Sequence, residues 1–423
     1  MPKSNILKTI GPGILFASTA IGVSHLVQST RAGADYGFAL WWAIVLANLM
    51  KYPFFEYGSR YASASGESII DGYQRIGKWM LLLYFLITVC SMFFVAAAVG
   101  AVTAGFLDNL FGISQLIPWL KIPAATVLFL VCVLILLLGK YKALDGLIKI
   151  IATVMLLATL AAFVLTLKNG PVAEISTISS PETWTPGGIA FIIALMGWMP
   201  TAVDLSAWNS LWTLERIKET GYKPKLKETL FDFNIAYLIS ALLSLCFLTL
   251  GAFLIYGTNI ELPDSSAAFA SFVIDLYTQS IGNWSYFIIA VAAFAIMFGT
   301  SIGVFDGYAR SLEKSTSLLF KGGFFEKAIE TRQVYMASVL VVAGGAYLLI
   351  YSFSGQLKAL VDLATTISFL IAPLIAIVNF RLVHAPYVAK EAVPPLWLKI
   401  LSYTGIIFLS GFALWFLYIR LLQ

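Results

Sequence analysis

Two stretches of polar and helix-breaking residues interrupt long apolar segments of the sequence, and they hold the residues best suited to chemistry. The first is residues 21–25, Ile-Gly-Val-Ser-His, in the middle of the first apolar segment. The second is residues 197–201, Gly-Trp-Met-Pro-Thr, in the middle of a later segment. Lipid offers backbone N–H and C=O groups no partners, so irregular backbone at this depth must be buried in protein or line a watery cavity. A pair of such interruptions predicts the binding site of a transporter.

Six residues in and beside these stretches are the candidates for contact with a substrate. They are Gly22, Ser24, His25, Met199, Thr201 and Asp204. An ionisable residue inside a membrane span is a functional candidate by default, which favours a substrate or proton role for His25. The alternative is a neutral imidazole that satisfies the broken backbone. Asp204 could pair with His25, or it could cap the restarted half-helix, where an acid is favoured.

The composition is that of a protein that crosses a membrane many times. Hydrophobic residues make up 60% of the 423 residues and charged residues 12%, and the mean hydropathy is +0.87. Such values are typical of polytopic membrane proteins. The basic residues lie in short loops, so the net charge of +5 indicates topology and no nucleic-acid partner. The three cysteines lie inside apolar runs without metal-site spacing, and we interpret them as small hydrophobes.

Segment lengths predict about eleven spans in one transmembrane domain, residues 1–423. The spans fall at 10–32, 37–57, 79–107, 119–139, 143–168, 188–213, 231–256, 284–308, 332–353, 359–381 and 396–420. Most Lys and Arg lie in loops on the side of the N-terminus, whereas the loop at 258–280 has acids and no base. The positive-inside rule therefore predicts a cytoplasmic N-terminus and an external C-terminus, in the cell (inner) membrane.

The interrupted spans are the first and the sixth, which lie five spans apart. Two repeats of opposite orientation, at about 10–168 and 188–381, would bring the interruptions together near the midplane, with the eleventh helix at about 396–420 peripheral. We expect no enzyme, because convergent nucleophile, base or metal groups are missing from the sequence pattern. A channel is disfavoured because no filter repeat is visible. No cofactor is expected.

Four stretches resemble the Nramp family of divalent-metal transporters. They are residues 11–15 (Gly-Pro-Gly-Ile-Leu), 32–38 (Ala-Gly-Ala-Asp-Tyr-Gly-Phe), 46–50 (Leu-Ala-Asn-Leu-Met) and 199–200 (Met-Pro). The resemblance extends over residues 10 to about 380 in span order and loop length. It implies the LeuT-type fold with a five-plus-five inverted repeat, eleven or twelve helices, alternating access and proton-driven uptake of manganese, iron or related ions.

The chain departs from the family pattern at the positions that ligate metal. The family's Asp-Pro-Gly-Asn lines up with residues 22–25, Gly-Val-Ser-His, and its Met-Pro-His-Asn with residues 199–202, Met-Pro-Thr-Ala. The third span, residues 79–106, has none of the acids that the family usually carries there. A soft-metal site could still form from His25, Met199 and freed carbonyls if the imidazole is neutral. The same groups could hold a hydrated cation such as magnesium, a carboxylate or an uncharged solute.

Two predictions for cargo and coupling therefore stand side by side. The family-level cargo is a divalent cation, Mn/Fe-like or Mg, and the alternative is a small, amino-acid-like organic solute. The coupling ion is H⁺ or Na⁺. The resemblance to sodium-coupled relatives implies a sodium site at Thr300, Ser301 and the Ala20 carbonyl. The alternative for both hydroxyls is hydrogen bonding to carbonyls of the preceding helical turn.

Overall fold

The computed structural model describes residues 9–138, 141–173, 182–258, 260–320 and 331–422, and these residues form helices with no β-strand among them. This result confirms the all-α fold class. The α-helices, in chain order, are α1 (Pro12–Ala20), α2 (Thr30–Tyr36), α3 (Trp41–Ser65), α4 (Ile69–Ile76), α5 (Lys78–Phe111), α6 (Ile113–Leu116), α7 (Pro123–Leu138), α8 (Tyr141–Asn169), α9 (Pro186–Gly197), α10 (Ser206–Thr220), α11 (Leu226–Leu254), α12 (Ser266–Ile281), α13 (Tyr286–Leu319), α14 (Thr331–Ser352), α15 (Leu357–Leu382) and α16 (Leu396–Leu422).

The first and sixth spans are broken at the predicted places. In the first span α1 ends at Ala20, a π-helical turn covers Ser24–Ser29, and α2 continues from it. In the sixth span α9 ends at Gly197, and a 3-10 turn at Val203–Leu205 leads into α10. Pro200 contributes to the second break, because proline has no backbone N–H to donate and conflicts with the preceding turn of a helix.

Six helices within the described residues are long and apolar enough to cross a membrane on their own. These are α5, α11, α13, α14, α15 and α16, with the shorter apolar helices α7, α9 and part of α8 beside them. Helix α3 is long but carries Lys51, Glu56 and Arg60 on buried positions. The count of eleven spans stays a prediction. Helix α12 corrects the sequence analysis, which assigns residues 258–280 to a loop.

Helices α2 and α11 cross at backbone contact, which fixes the first span against its neighbour. A Cβ atom added at Gly33 would lie 2.0 Å from the Leu248 carbonyl oxygen, and one added at Gly251 would lie 2.2 Å from the Thr30 carbonyl oxygen. Small residues at such crossings let membrane helices approach closely without a driving force from water. The pair of glycines therefore sets where α2 lies.

Replacing Gly33 with Val is expected to prevent normal assembly, because a side chain at this crossing must push α2 and α11 apart. Overpacking of this kind typically costs about 1–3 kcal/mol or more. The matched control is Gly344→Ala in α14, where no atom lies within 4 Å of the added Cβ. Purified yield and melting temperature should fall for Gly33→Val and stay near wild type for Gly344→Ala. Equal behaviour of the two variants would contradict the crossing.

Candidate functional site

The break in the first span is closed by local hydrogen bonds around Ala20. The Gly22 N–H donates to the Ala20 carbonyl over 2.9 Å, and the Ser24 hydroxyl donates to the same oxygen over 2.7 Å. The Leu26 N–H then donates to the Gly22 carbonyl over 2.9 Å, which restarts the helix. Gly22 also lies against helix α13, since a Cβ there would be 2.9 Å from the Thr300 methyl group. A larger residue than glycine would separate the break from α13.

The imidazole of His25 joins the first break to helix α11. Its Nε2 atom is 2.8 Å from the Ser240 carbonyl oxygen, and its Nδ1 atom is 2.7 Å from Ser24 Oγ. A carbonyl only accepts, so Nε2 must carry a proton. The single Ser24 proton faces two acceptors, Ala20 O and His25 Nδ1. If Nδ1 also carried a proton, it would donate to Ser24 Oγ, and the Ser24 hydroxyl would donate to Ala20 O. Each of the three contacts would then have its own donor.

The break in the sixth span holds Met199 and Thr201 in buried positions. The Met199 sulfur accepts a long contact of 3.9 Å from the Ser29 hydroxyl, which links the two breaks. The neighbouring Trp198 donates its indole N–H to the Ser368 hydroxyl over 2.9 Å. Thr201 is 7% exposed. This break is therefore held between the first span and helix α15.

Lys51 is a further candidate for the site that the sequence analysis did not single out. It lies in the middle of α3, is 0% exposed, and directs its ammonium group at the freed carbonyls of the sixth span. Its Nζ atom is 2.5 Å from Met196 O, 2.7 Å from Gly197 O and 3.3 Å from Thr201 O. The available signal was a lysine inside a predicted span, since intramembrane ionisable residues are rare and mark functional sites.

Asp204 lies on the far side of the same break and is 4% exposed. Its Oδ2 atom accepts a hydrogen bond of 3.3 Å from Ser91, whose oxygen in turn accepts one from the Tyr308 hydroxyl. The Asp204 Oδ1 atom is buried without a hydrogen-bond partner among the described residues. The contacts of Asp204 and of His25 run in different directions, so the structure does not pair these two residues.

Thr300 and Ser301 point to different helices. The Thr300 hydroxyl is 2.7 Å from Ser18 O and 3.0 Å from Ile296 O, so it bridges α1 and α13. The Ser301 hydroxyl is 2.8 Å from the hydroxyl of Thr103 in α5. The structure therefore does not bring these two hydroxyls and the Ala20 carbonyl to one common point, and the sodium site stays a prediction.

A small cavity of about 20 Å³ lies between the two breaks, α5 and α13. Its polar lining comes from Thr19, Ser24, Thr201 and Thr300, and the indole of Trp198 and four valines contribute most of the apolar lining. A cavity needs about 10–15 Å³ to hold one water molecule. In this conformation the space suits one water or one small ion, so an organic solute would need the helices to move apart.

A larger vestibule of about 580 Å³ lies at the end of the molecule where α2 and α15 meet. An ion pair lines it: Arg31 donates to both carboxylate oxygens of Asp362, over 2.6 and 3.1 Å. Gln28 donates to the same carboxylate over 2.9 Å and accepts from Arg31 over 3.0 Å. Hydropathy places Arg31 at the end of its span, whereas the structure buries it inside helix α2.

The donor set within the described residues does not resemble a site for a dehydrated transition metal. No group of three or more His, Cys, Asp or Glu side chains comes together in that part of the chain. His25 uses both ring nitrogens on Ser24 and Ser240, and Met199 contacts Ser29. Divalent first-row metals need several nitrogen, oxygen or sulfur ligands and compensation of their charge.

Comparison with known proteins identifies the family. The profile described as "Natural resistance-associated macrophage protein-like", Nramp, matches residues 13–419. An uncharacterised protein of Pasteurella multocida is 34% identical over 417 residues, covering 96% of this chain and 91% of that protein. Such a match over nearly the whole chain goes beyond the four short motifs that first suggested the resemblance.

Solved structures give the fold. A variant of the Eremococcus coleocola manganese transporter aligns with a TM-score of 0.71 at 15% identity, covering 97% of this chain and 86% of that one. MhsT in complex with L-phenylalanine aligns with a TM-score of 0.59 at 12% identity, covering 95% and 98%. These neighbours share the LeuT-type fold that the resemblance to Nramp implies. The chain therefore belongs to the Nramp family, and it is a multi-pass membrane transporter.

Proposed function

We propose that this protein is a secondary transporter that moves a small, amino-acid-like organic solute by alternating access, and that it does not carry manganese or iron. The observation that supports this proposal is the Lys51 ammonium, which contacts the Met196, Gly197 and Thr201 carbonyls at the break of the sixth span. Freed carbonyls and half-helix ends are the groups with which such folds bind ions. Here one of the two breaks already holds a positive charge.

A divalent cation would meet electrostatic repulsion in this site. At a separation of about 4 Å, a divalent and a monovalent cation repel by about 8 kcal/mol even at an effective dielectric constant near 20. Asp204 provides one negative charge nearby, which balances Lys51 and leaves none for the metal. A solute without net charge avoids this cost. Its carboxylate would meet the half-helix N-termini near Ser24 and Val203, as anionic groups prefer.

The second candidate is the family-level cargo, a divalent cation such as Mn²⁺, Fe²⁺ or Mg²⁺. The structural similarity to a protein named as a manganese transporter favours it, as does the unpartnered Oδ1 atom of Asp204. In that case His25, Met199 and Asp204 would have to reorient towards the central cavity. Coupling to H⁺ would use His25, whose partners can accommodate a second ring proton. Coupling to Na⁺ would use Thr300 and Ser301.

Alternating access requires a closure on each side of the cavity, and two contacts are suited to this role. The Arg31–Asp362 pair lines the vestibule and ties α2 to α15, so we propose that it closes that side of the cavity. At the other end, the Gly13 N–H at the start of α1 donates to Asp232 of α11 over 2.7 Å. We propose that repeats 10–168 and 188–381 move against each other about these contacts. The N-terminus would be cytoplasmic in the inner membrane, which makes the vestibule external.

Uptake into proteoliposomes tests the proposal. Purified protein should accumulate one or more members of a radiolabelled amino-acid panel, and it should give no saturable signal for Mn²⁺ or Mg²⁺ with a metal-sensitive dye inside the vesicles. A dye for internal pH and replacement of Na⁺ by N-methylglucamine identify the coupling ion. Empty liposomes are the control. Saturable Mn²⁺ uptake would overturn the proposal, and weakening of that uptake by Met199→Leu would support the second candidate.

A further inference from the structure

The break of the sixth span has the features of a cation-binding site, and its occupant is part of the protein. We propose that this break is a primary-ammonium site that Lys51 fills permanently, so that the position requires no inorganic ion. The inference deepens the proposed function, and its role in transport rests on that function. The Lys51 ammonium, tethered to the protein, would replace an ion that is otherwise bound and released. The geometry of the site can be tested without any transported solute.

The acceptors match the chemistry of an ammonium group. Lysine carries three N–H donors and no acceptor, and Nζ of Lys51 meets three carbonyl oxygens, those of Met196, Gly197 and Thr201. Two of them belong to the last residues of α9, where helix carbonyls lack intrahelical partners and carry the negative end of the helix dipole. The third belongs to the non-helical residues that follow. The ammonium therefore bridges the two sides of the break.

The surrounding helices hold this arrangement in place. Helix α3, which carries Lys51, runs against the start of α10, because a Cβ added at Gly58 would lie 2.2 Å from the Ser206 carbonyl oxygen. On the other side, a Cβ added at Gly197 would lie 2.0 Å from the Thr365 carbonyl oxygen of α15. The break is therefore packed at backbone distance between α3 and α15. Lys51 can reach it without exposure to lipid.

Charge balance favours a monovalent occupant. Asp204 follows the break and is itself buried, so an acid and a base lie in the same part of the fold. An uncompensated charge in the membrane interior is costly, and a pair of opposite charges reduces that cost. A free ion competing for the same carbonyls would have to displace a group that is covalently attached and hence always at high effective concentration.

Chemical rescue tests the site. Lys51→Ala removes the atoms of n-propylammonium and takes the ammonium donors away from the three carbonyls, whereas Lys51→Met keeps most of the side-chain volume and removes only the charge and the donors. We expect both purified variants to melt about 5–10 °C below wild type, given the loss of several buried hydrogen bonds. Addition of n-propylammonium chloride should restore at least half of this loss in Lys51→Ala only. Tetramethylammonium, which has no N–H donor, should restore none.

The other samples serve as matched controls. Wild type should gain nothing from n-propylammonium because Lys51 already fills the site, and Lys51→Met should gain nothing because its side chain occupies the space. Melting of Lys51→Met at the wild-type temperature, or equal stabilisation of all three proteins by the amine, would overturn the inference. Manganese uptake by wild-type proteoliposomes would overturn the proposed function but would leave the amine rescue unchanged, so the two failures can be told apart.

Discussion

Replacing His25 with Ala is expected to abolish solute uptake while the protein still purifies as a folded species. The imidazole is the link between the broken first span and helix α11, through Ser24 on one side and the Ser240 carbonyl on the other. Each buried group left without its partner costs about 1–3 kcal/mol. This cost falls on the state that binds the solute, so binding should weaken by roughly 5- to 140-fold per group.

The controls test whether the loss of uptake is specific to His25 or follows from replacement of any histidine. The chain has two histidines, and the second, His384, hydrogen-bonds the Phe380 carbonyl and packs on the Phe380 ring at the end of α15. His384→Ala should therefore transport normally. Ser24→Ala, which removes the Nδ1 partner alone, should give an intermediate rate. Full uptake by His25→Ala, measured with the solute identified in the proteoliposome panel, would exclude His25 from the site.

Replacing Arg31 with Ala should open the central cavity to reagents that enter through the vestibule. Arg31 and Asp362 form a bidentate pair with side chains 9% and 36% exposed. Breaking a largely buried pair by removal of one partner costs about 3–5 kcal/mol, and exposure of Asp362 to water in the vestibule reduces this figure. A remaining loss of about 2 kcal/mol would increase the open population roughly 30-fold.

Cysteine labelling measures this change without any substrate. In a Cys90→Ser background, Thr201→Cys lines the cavity, and a membrane-impermeant maleimide should modify it roughly 30-fold faster when Arg31 is Ala. Exchange of the two charges, Arg31→Asp with Asp362→Arg, should slow labelling again. The exposed pair Arg75–Glu67 serves as the control, since surface pairs contribute little. Unchanged labelling in Arg31→Ala would show that this pair does not close the vestibule.

The sequence by itself determined the class of the molecule and the position of its irregular backbone. A long apolar segment can be recognised from its own residues alone, and within a bilayer such a segment has few alternatives to a helix. Gly22 and Pro200 disrupt helices by their own backbone chemistry. For this reason the two breaks appeared at the predicted residues, and the family resemblance followed from motifs near them. The assignment of residues 258–280 to a loop failed because α12 has 16 residues, which is fewer than a membrane span needs, so the length rule did not detect it.

The partners of the polar side chains were decided only by the tertiary structure. Arg31 meets Asp362 across 331 positions of sequence, and Lys51 meets the Met196 carbonyl across 145. Such contacts depend on which face of each helix turns inward, and the hydropathy of spans that are apolar on most sides does not specify this. Backbone carbonyls carry no sequence signal at all. The sequence therefore located the breaks, and helix packing decided that an ammonium group of the protein itself occupies one of them.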